Sequence, residues 1–489
     1  MKKPLVILVY TRTGWDIKNV SSLLPLSVLY LVRPLRRAGF DVALLDQRID
    51  PAWERRLREL APGATLVGIS AMTGRQIEWG LRAATIVRRA APNTPIVWGG
   101  IHASLMPAQT ARHPLVDIVV RREGEITLPR LAQTIVAGGD LREVAGLTLF
   151  RNGEIIATPD RDEYADLDDV LIPDYDAIKI EDYVTTQTLG VRDLAITTSR
   201  GCPGACRYCY NLPFNRRRWR AASADAVVAH IKLIVGRFAI DGILIKDDNF
   251  YVDRKRVEAI AEGLRRENLR VTIRGECRAD YIARHWDEDF LRYLHAAGFR
   301  EMTVGAESGD DETLEVLQKG ITVADIKEAN ERLRRANIPT KFTFMTGFPG
   351  ETPDNLRRTL ELMLHLTQAN ETARVTPLHL FTPYPGTPVY EAALAAGYRP
   401  PVDLAGWSDA SFHELHLPWI DPRRSRQLER ASLATYFLDG RTVPEYFSGH
   451  ALIPLLARLY TRVIRWRCRR MFFRLMPEAA IIDWYRGRQ

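Results

Sequence analysis

Cysteine is scarce in this chain: five in 489 residues, with none before position 202. That excludes a disulfide scaffold and fits a reducing compartment, so a cytoplasmic location is expected. Long hydrophobic runs are missing too, and no apolar stretch reaches spanning length. The run Leu5 to Tyr10, behind Met1-Lys2-Lys3-Pro4, is too short for a signal-peptide core. No small-residue cleavage site follows it, so it reads as a buried first strand. Low-complexity segments and repeats of solenoid period are absent as well.

What is there is globular in composition: 46% hydrophobic and 26% charged residues. A chain this long predicts two or three domains. Net charge is +8, concentrated at Arg216–Arg220 and toward the carboxyl terminus. That balance is compatible with nucleic acid, a membrane surface or an anionic substrate, and selects none of them.

Three regions follow from the patterning. Residues 1–140 alternate apolar strands (5–10, 41–45, 66–70, 95–98, 116–120) with helical stretches, including 28–38 with a kink at Pro34, 76–90 and 127–137. Continuous apolar strands alternating with helices predict a Rossmann-like, doubly wound parallel sheet, whose ligands bind beyond the strands' carboxyl ends. Residues 141–192, with a hairpin at 147–157 and an acidic stretch, read as a connector. Residues 193–400 alternate again, with strands at 194–198, 243–246, 270–273, 301–304, 341–344 and 374–380. Six βα units predict a partial (β/α)6 barrel with its site at the strands' carboxyl ends. Residues 401–489 form a variable, helical carboxyl-terminal region with a basic amphipathic tail.

The informative segment is Ser199-Arg200-Gly201-Cys202-Pro203-Gly204-Ala205-Cys206-Arg207-Tyr208-Cys209, directly after the first strand of the third region. A cubane iron–sulfur cluster has four irons, normally one per cysteine thiolate. The spacing C-x₃-C-x₂-C supplies three, leaving one iron open to a ligand, as open catalytic metal sites are. Structural zinc calls for a fourth ligand and paired C-x₂-C units; Cys277 and Cys468 are isolated, and no histidine lies in the cluster.

This motif resembles the radical S-adenosylmethionine superfamily. Further matching segments stand at later strand ends: Asp247-Asp248-Asn249-Phe250, Gly305-Ala306-Glu307-Ser308-Gly309, Gly347-Phe348-Pro349-Gly350-Glu351-Thr352 and Pro383 to Pro388. The resemblance spans roughly 190–400. It implies a [4Fe-4S] cluster on Cys202, Cys206 and Cys209, and S-adenosylmethionine held near Tyr208, Asp248, Glu307, Ser308 and Gly347. It implies electron-driven cleavage of that cofactor to methionine and a 5′-deoxyadenosyl radical. A reducing partner such as flavodoxin or ferredoxin is then needed.

The combination is also similar to the cobalamin-binding subclass of that superfamily. The matching stretches are Val97 to Ser104, after the fourth strand, and Arg122-Glu123-Gly124-Glu125, after the fifth. The resemblance implies cobalamin bordered by Ser70, Gly99, Gly100, His102 and Glu123. The general cobalamin signature D-x-H-x-x-G is absent from residues 1–140, since Asp46 is followed by Gln47 and Arg48. A histidine as lower axial ligand is therefore not expected, and His102 is not read as a metal ligand.

The implied chemistry is methyl transfer to an unactivated carbon, or to phosphorus, of a small-molecule, natural-product or lipid substrate. The alternative keeps the cofactors but performs a cyclisation or oxidation without net methyl transfer. A transfer-RNA methylthiotransferase is disfavoured, because that family carries three more cysteines in its first domain. A non-catalytic zinc or nucleic-acid-binding module is the remaining rival, and nucleic acid is disfavoured as a partner. Arg216–Arg220 read as a solvated loop. In the tail, Arg458, Arg462, Arg465 and Arg469 recur at helical steps among Leu455, Leu456, Leu459, Trp466, Phe472 and Phe473. That pattern suits either peripheral contact with an anionic membrane or a helix packed across the barrel mouth. No residue type or spacing marks the catalytic acid or base; His379, His413 and His416 are candidates by composition alone.

Overall fold

The computed structural model describes residues 3–14, 16, 23–185, 189–410, 417–439, 452–474 and 476. His413 and His416 lie outside the described residues. The chain forms two compact units: Met1–Thr185 with Pro400–Ser411, and Thr186–Arg399 with Phe412–Gln489.

The first unit is built on strands β1 (Leu5–Tyr10), β2 (Asp41–Asp46), β3 (Ala64–Ser70), β4 (Ile96–Gly99), β5 (Ile118–Val120), β6 (Leu147–Arg151) and β7 (Glu154–Ala157). Their order is β2-β1-β3-β4-β5-β6-β7. The first five are parallel. Val6 to Val9 are at most 1% exposed, so β1 needs cover on both faces, and helices supply it, as parallel sheets require. The chain runs from β1 outward to β2 and then back to β3, which opens a crevice between the loops after β1 and β3. The helix Leu26–Arg37 carries Pro34 in its last turn, close to where the sequence ends it.

The hairpin at 147–157 departs from expectation. Rather than belonging to a connector, β6 pairs antiparallel with β5 and completes the sheet's edge. Local sequence marks a hairpin but not its docking partner, because strand pairing is set by burial against distant residues.

The second unit holds β8 (Asp193–Ile196), the short ribbon β9 (Ser199–Arg200) and β10 (Arg220–Ala221), then β11 (Gly242–Ile245), β12 (Thr272–Cys277), β13 (Phe299–Glu307), β14 (Thr340–Thr346), β15 (Ala373–Val375) and β16 (His379–Leu380). Apart from the ribbon, the strands lie side by side in chain order and all parallel, an open partial barrel. The expected sixth strand 374–380 is split. Pro377 has no N–H for the ladder, and the register against β14 slips by one residue between β15 and β16. The Leu378 N–H instead donates to Thr435 Oγ1 at 2.8 Å. Helices start where the sequence signals them: Thr322 with Asp325, and Thr352 with Asn355, form reciprocal capping boxes.

The helix Leu452–Arg470 packs on the outer helix Pro353–Ala369 and on Pro422–Thr435. It therefore flanks the barrel rather than crossing its mouth. No helix among the described residues is long and apolar enough to cross a membrane.

One glycine is fixed by close packing. A Cβ on Gly80, in the helix Arg75–Ala90, would stand 2.6 Å from a ring carbon of the fully buried Trp98. Gly80→Ala would gain about 1 kcal/mol of helix preference against about 1–3 kcal/mol of overpacking. The expected result is a net loss, seen as a lowered Tm of the purified protein. An unchanged or raised Tm would show that the indole shifts freely.

Candidate active site

The cysteine loop is pinned from below by two acids at the end of β11. Asp247 is 3% exposed and accepts from Thr198 N–H at 2.6 Å, Thr198 Oγ1 at 2.7 Å and Ser199 Oγ at 2.6 Å. Burial raises its pKa, and those donors work against the rise. Asp248 accepts from Gly201 N–H at 2.9 Å and from the Tyr210 hydroxyl at 2.5 Å. The ribbon of β9 and β10 closes the base of the loop. At Gly201 φ is +86°, and a Cβ would fall on the Arg218 carbonyl oxygen, so only glycine fits.

The three thiols are free cysteines. Polar hydrogens are aimed at two of them. Gly204 N–H reaches Cys202 Sγ at 3.4 Å, Asn249 Nδ2 reaches the same sulfur at 3.7 Å, and Arg278 Nη1 reaches Cys206 Sγ at 3.8 Å. A Cβ on Gly204 would stand 3.3 Å from Cys202 Sγ and 3.7 Å from Cys206 Sγ. Burial raises the Cys209 thiol to about 12. Such enclosed sulfurs become thiolates when a metal centre supplies the counter-charge. Asn249 Oδ1 is buried without a hydrogen-bond partner beside them. No three His, Cys, Asp or Glu side chains among the described residues close on a single-ion site. Three thiols on a glycine-permitted loop with N–H donors around the sulfurs match an iron–sulfur cluster better than mononuclear zinc.

Around this loop stand the other expected residues. Glu307 adopts φ +63° at the register slip between β13 and β14, an unusual conformation for a non-glycine residue. Its Oε1 accepts from Lys319 Nζ at 2.8 Å, and Lys319 also donates to the Tyr208 hydroxyl at 3.1 Å. A Cβ on Gly305 would stand 2.6 Å from Glu307 Oε1, so that glycine makes room for the pair. Burial opposes a charge on Lys319, but the Glu307 carboxylate and Cys206 together outweigh it and the ammonium's pKa is raised. Tyr208 packs on Phe348 at 6.1 Å between centroids, and burial lifts its phenol well above the ordinary value. The loop Gly347 to Thr352 is tied to itself. Glu351 accepts from the N–H groups of Gly347 and Phe348 and from Thr346 Oγ1. Ser308 faces elsewhere: its hydroxyl lies 3.3 Å from Thr359 Oγ1 and accepts from Asp310 N–H.

In the first unit, Ser70, Gly99 and Gly100 meet at the carboxyl ends of β3 and β4, a floor of small, partly accessible residues. Gly100 has φ +91°, and a Cβ there would press 2.8 Å from the Ala71 carbonyl oxygen. Ser104 Oγ donates to Gly100 O at 2.7 Å and accepts from Arg122 N–H at 2.7 Å, tying the loop after β4 to that holding Glu123. This floor admits a bulky ligand's backbone-close approach. His102 does not face that opening. It is 1% exposed, its Nδ1 lies 2.9 Å from Thr73 Oγ1, and its ring is 5.5 Å from that of Trp407. Trp407 Nε1 in turn donates to Gln109 Oε1 at 2.7 Å.

Sequence reasoning missed Arg278, Glu351 as the tie of its own loop, and Trp407. Glu351 could have been found inside its quoted motif. Arg278 and Trp407 carry no local signal.

Two family descriptions match the chain: the radical SAM superfamily over residues 196–363 and the B12 binding domain over residues 18–132. The protein is a cobalamin-type radical S-adenosylmethionine enzyme. The sequence resemblance is thus borne out, and its cofactors are a [4Fe-4S] cluster, S-adenosylmethionine and cobalamin. An uncharacterized methyltransferase of Pyrococcus horikoshii is 28% identical over 400 residues, 81% of this chain and 84% of that relative. The anaerobic magnesium-protoporphyrin IX monomethyl ester cyclase of Synechocystis sp. is 30% identical over 329 residues; the match covers 66% of this chain and 64% of the cyclase. The chain thus spans under two thirds of that cyclase's length. Among solved structures, the cobalamin-dependent S-adenosylmethionine radical enzyme OxsB with aqua-cobalamin shares the fold: TM-score 0.75, 17% identity, 99% of this chain and 75% of that one.

Burial lowers the pKa of His102 from 6.5 to about 4, so the folded protein keeps this ring neutral. An unfolded chain binds the proton below about 6.5. Stability should therefore fall as pH drops from about 6.5 toward 4, by about 3 kcal/mol in all. His102→Gln should flatten that part of a Tm–pH profile; an unchanged slope would place the titration elsewhere.

Proposed function

We propose that this enzyme methylates an unactivated carbon of a small-molecule or lipid substrate. The observation carrying the reading is a three-thiol loop at a barrel's carboxyl edge in one chain with a B12 binding domain. Cys202, Cys206 and Cys209 would hold the cluster. Tyr208, Asp248, Glu307 and Gly347 would border S-adenosylmethionine, with Ser308 contributing through its backbone because its hydroxyl is engaged. Ser70, Gly99, Gly100 and Glu123 would border cobalamin, with His102 contributing through backbone for the same kind of reason. Bound there, the cofactors supply the electron transfer, the radical and the methyl carrier.

The chain's own residues hold and orient. Asp247 and Asp248 fix the loop, and Gly204, Asn249 and Arg278 stabilise thiolate sulfur. The Glu307–Lys319 pair holds the Tyr208 hydroxyl, and Glu351 sets the Gly347 turn. Together they keep the reacting groups in one geometry, which is the protein's share of such catalysis. A low-potential donor of flavodoxin or ferredoxin type would deliver electrons, and the cytoplasm suits both donor and cluster.

A second reading is a cyclase without net methyl transfer, favoured by the cyclase of Synechocystis sp.. Product mass separates the two, a gain of one methylene against none. The first test is metal content after anaerobic purification with cobalamin, beside a triple Cys202, Cys206 and Cys209→Ala variant. Iron and sulfide lost in the variant, with cobalt kept in both, is the expected result. Iron without cobalt would remove methyl transfer, and zinc in place of iron would overturn the reading.

Peripheral membrane contact belongs to the same proposal. On the terminal helix, Ile464 and Cys468 are buried, while Val463 and Trp466 are exposed, with Phe472 just beyond it. Trp466 and Phe472 touch edge to face at 5.6 Å, with Arg462, Arg469 and Arg470 nearby in sequence. An exposed aromatic pair on a helix with exposed arginines suits an anionic bilayer surface. Trp466→Ala with Phe472→Ala should weaken co-sedimentation with phosphatidylglycerol vesicles. Equal sedimentation of variant and wild type would sink the membrane contact.

A further inference from the structure

The inner face of a parallel barrel is ordinarily filled by Val, Ile and Leu. Here it is charged. In β12 and β14 the residues turned to the helices, such as Ile273, Phe342 and Phe344, are 0% exposed, while the alternate ones remain partly accessible. Those alternate positions carry Arg274, Glu276, Lys341 and Thr343. Strand register lines several of them up in one row: Glu276 lies beside Thr303, Thr303 beside Lys341, and Lys341 beside Arg374. Leu244 of β11 lies beside Arg274, so Lys246, two residues on, begins the row.

Part of this charge is internally matched. Glu301 accepts from Arg274 Nη1 at 2.8 Å and from Arg374 Nη2 at 2.6 Å. Nearer the cysteine loop, Lys319 is matched by Glu307. Lys246 is different. Its side chain is open to solvent, although protein surrounds it closely enough to lower its pKa, so it stands on the barrel's inner face. Among the described residues the charges that act on it do so through space: Glu276 and Glu301 favour its ammonium, and Arg274 and Lys341 oppose it. Burial lowers its pKa. Glu276 likewise faces only through-space charges. His379 is likewise open to solvent, and Lys341 acts on it. An ammonium on the inner face that lacks a hydrogen-bonded anion has its donors available to a ligand carrying negative charge.

We propose that Lys246, with Lys341 further along the same inner row, seats an anionic group of the substrate, a carboxylate or a phosphate, in the barrel lumen. This deepens the reading of the barrel as the radical site and rests on it. A purely hydrocarbon substrate offers Lys246 no counter-charge. The same chemistry could come from the carboxylate of S-adenosylmethionine, and the test separates the two sources.

The full-length, cluster-loaded protein is pulsed with limiting acetic anhydride, and acetylation of Lys246 is read by peptide mass spectrometry. Lys232, an exposed lysine paired with Glu267, is the internal reference. Inorganic phosphate, succinate and S-adenosylmethionine are the probes. Labelling of Lys246 in the free protein, slowed several-fold by phosphate or succinate with Lys232 unchanged, is expected. Glu276→Gln removes a nearby negative charge and should shift that protection to lower anion concentration. Three outcomes overturn the proposal: a Lys246 inert throughout, protection by S-adenosylmethionine but by neither small anion, or no shift in E276Q. The wild-type arm needs no substitution, so poor folding of E276Q leaves it decisive. Release of 5′-deoxyadenosine by the dithionite-reduced preparation is measured in parallel. Its absence would defeat the radical reading, while the labelling pattern judges the anion seat separately.

Discussion

The second unit depends on a carboxylate placed where carboxylates are expensive. Asp247 is almost fully enclosed, and it persists there because three donors from Thr198 and Ser199 converge on it. Those donors belong to the segment leading into the cysteine loop. The bond set thus clamps the end of β11 to the end of β8 before any metal arrives. Asp248 extends the clamp by one residue to Gly201 and Tyr210. Unsatisfied, Asp247 would cost several kcal/mol of desolvation; satisfied, the two acids fix the loop's path to within a hydrogen bond's tolerance. The rest of the site is referred to this frame. Arg207 N–H bonds to Leu317 O and Val389 N–H to Arg207 O, which joins the loop to the segments after β13 and β16.

A second constraint is the bridging of charge across the barrel's inner face. Glu301 binds arginines from β12 and β15, two strands that are not neighbours in the sheet. Apolar packing would fill the barrel, whereas this bridge holds strands in register and leaves space. The barrel therefore trades close packing for an internal volume that water and ligands can enter.

Much of this was legible in the sequence, for local reasons. The first five strands announce themselves as continuous apolar runs, and the cysteine loop is contiguous with glycines where the backbone needs them. The capping boxes at Thr322 and Thr352 are equally local. Other features are set by distance. Nothing near Leu147 says that its hairpin will pair with β5. The sixth strand reads as unbroken because its apolar pattern hides what Pro377 removes. His102 looks like a loop histidine beside two glycines, and only the return of Trp407 from far down the chain buries it. Lys246 reads as the polar end of a strand; its place on the inner face beside charges from β12, β13 and β14 appears only in the folded sheet.

That return of Trp407 bears on the order in which the protein is made. Domains generally fold as they leave the ribosome, amino-terminal first. Here the first unit's sheet is synthesised early, but residues 400–411, which complete that unit, emerge only after the barrel. Until then the edge near His102 and Gln109 waits with an apolar face and unbonded amide groups. Nascent chains at that stage are a natural client for chaperones. The two units also cannot be exchanged between relatives by a single cut at residue 185: a working chimera has to carry the distant strap with the sheet it closes.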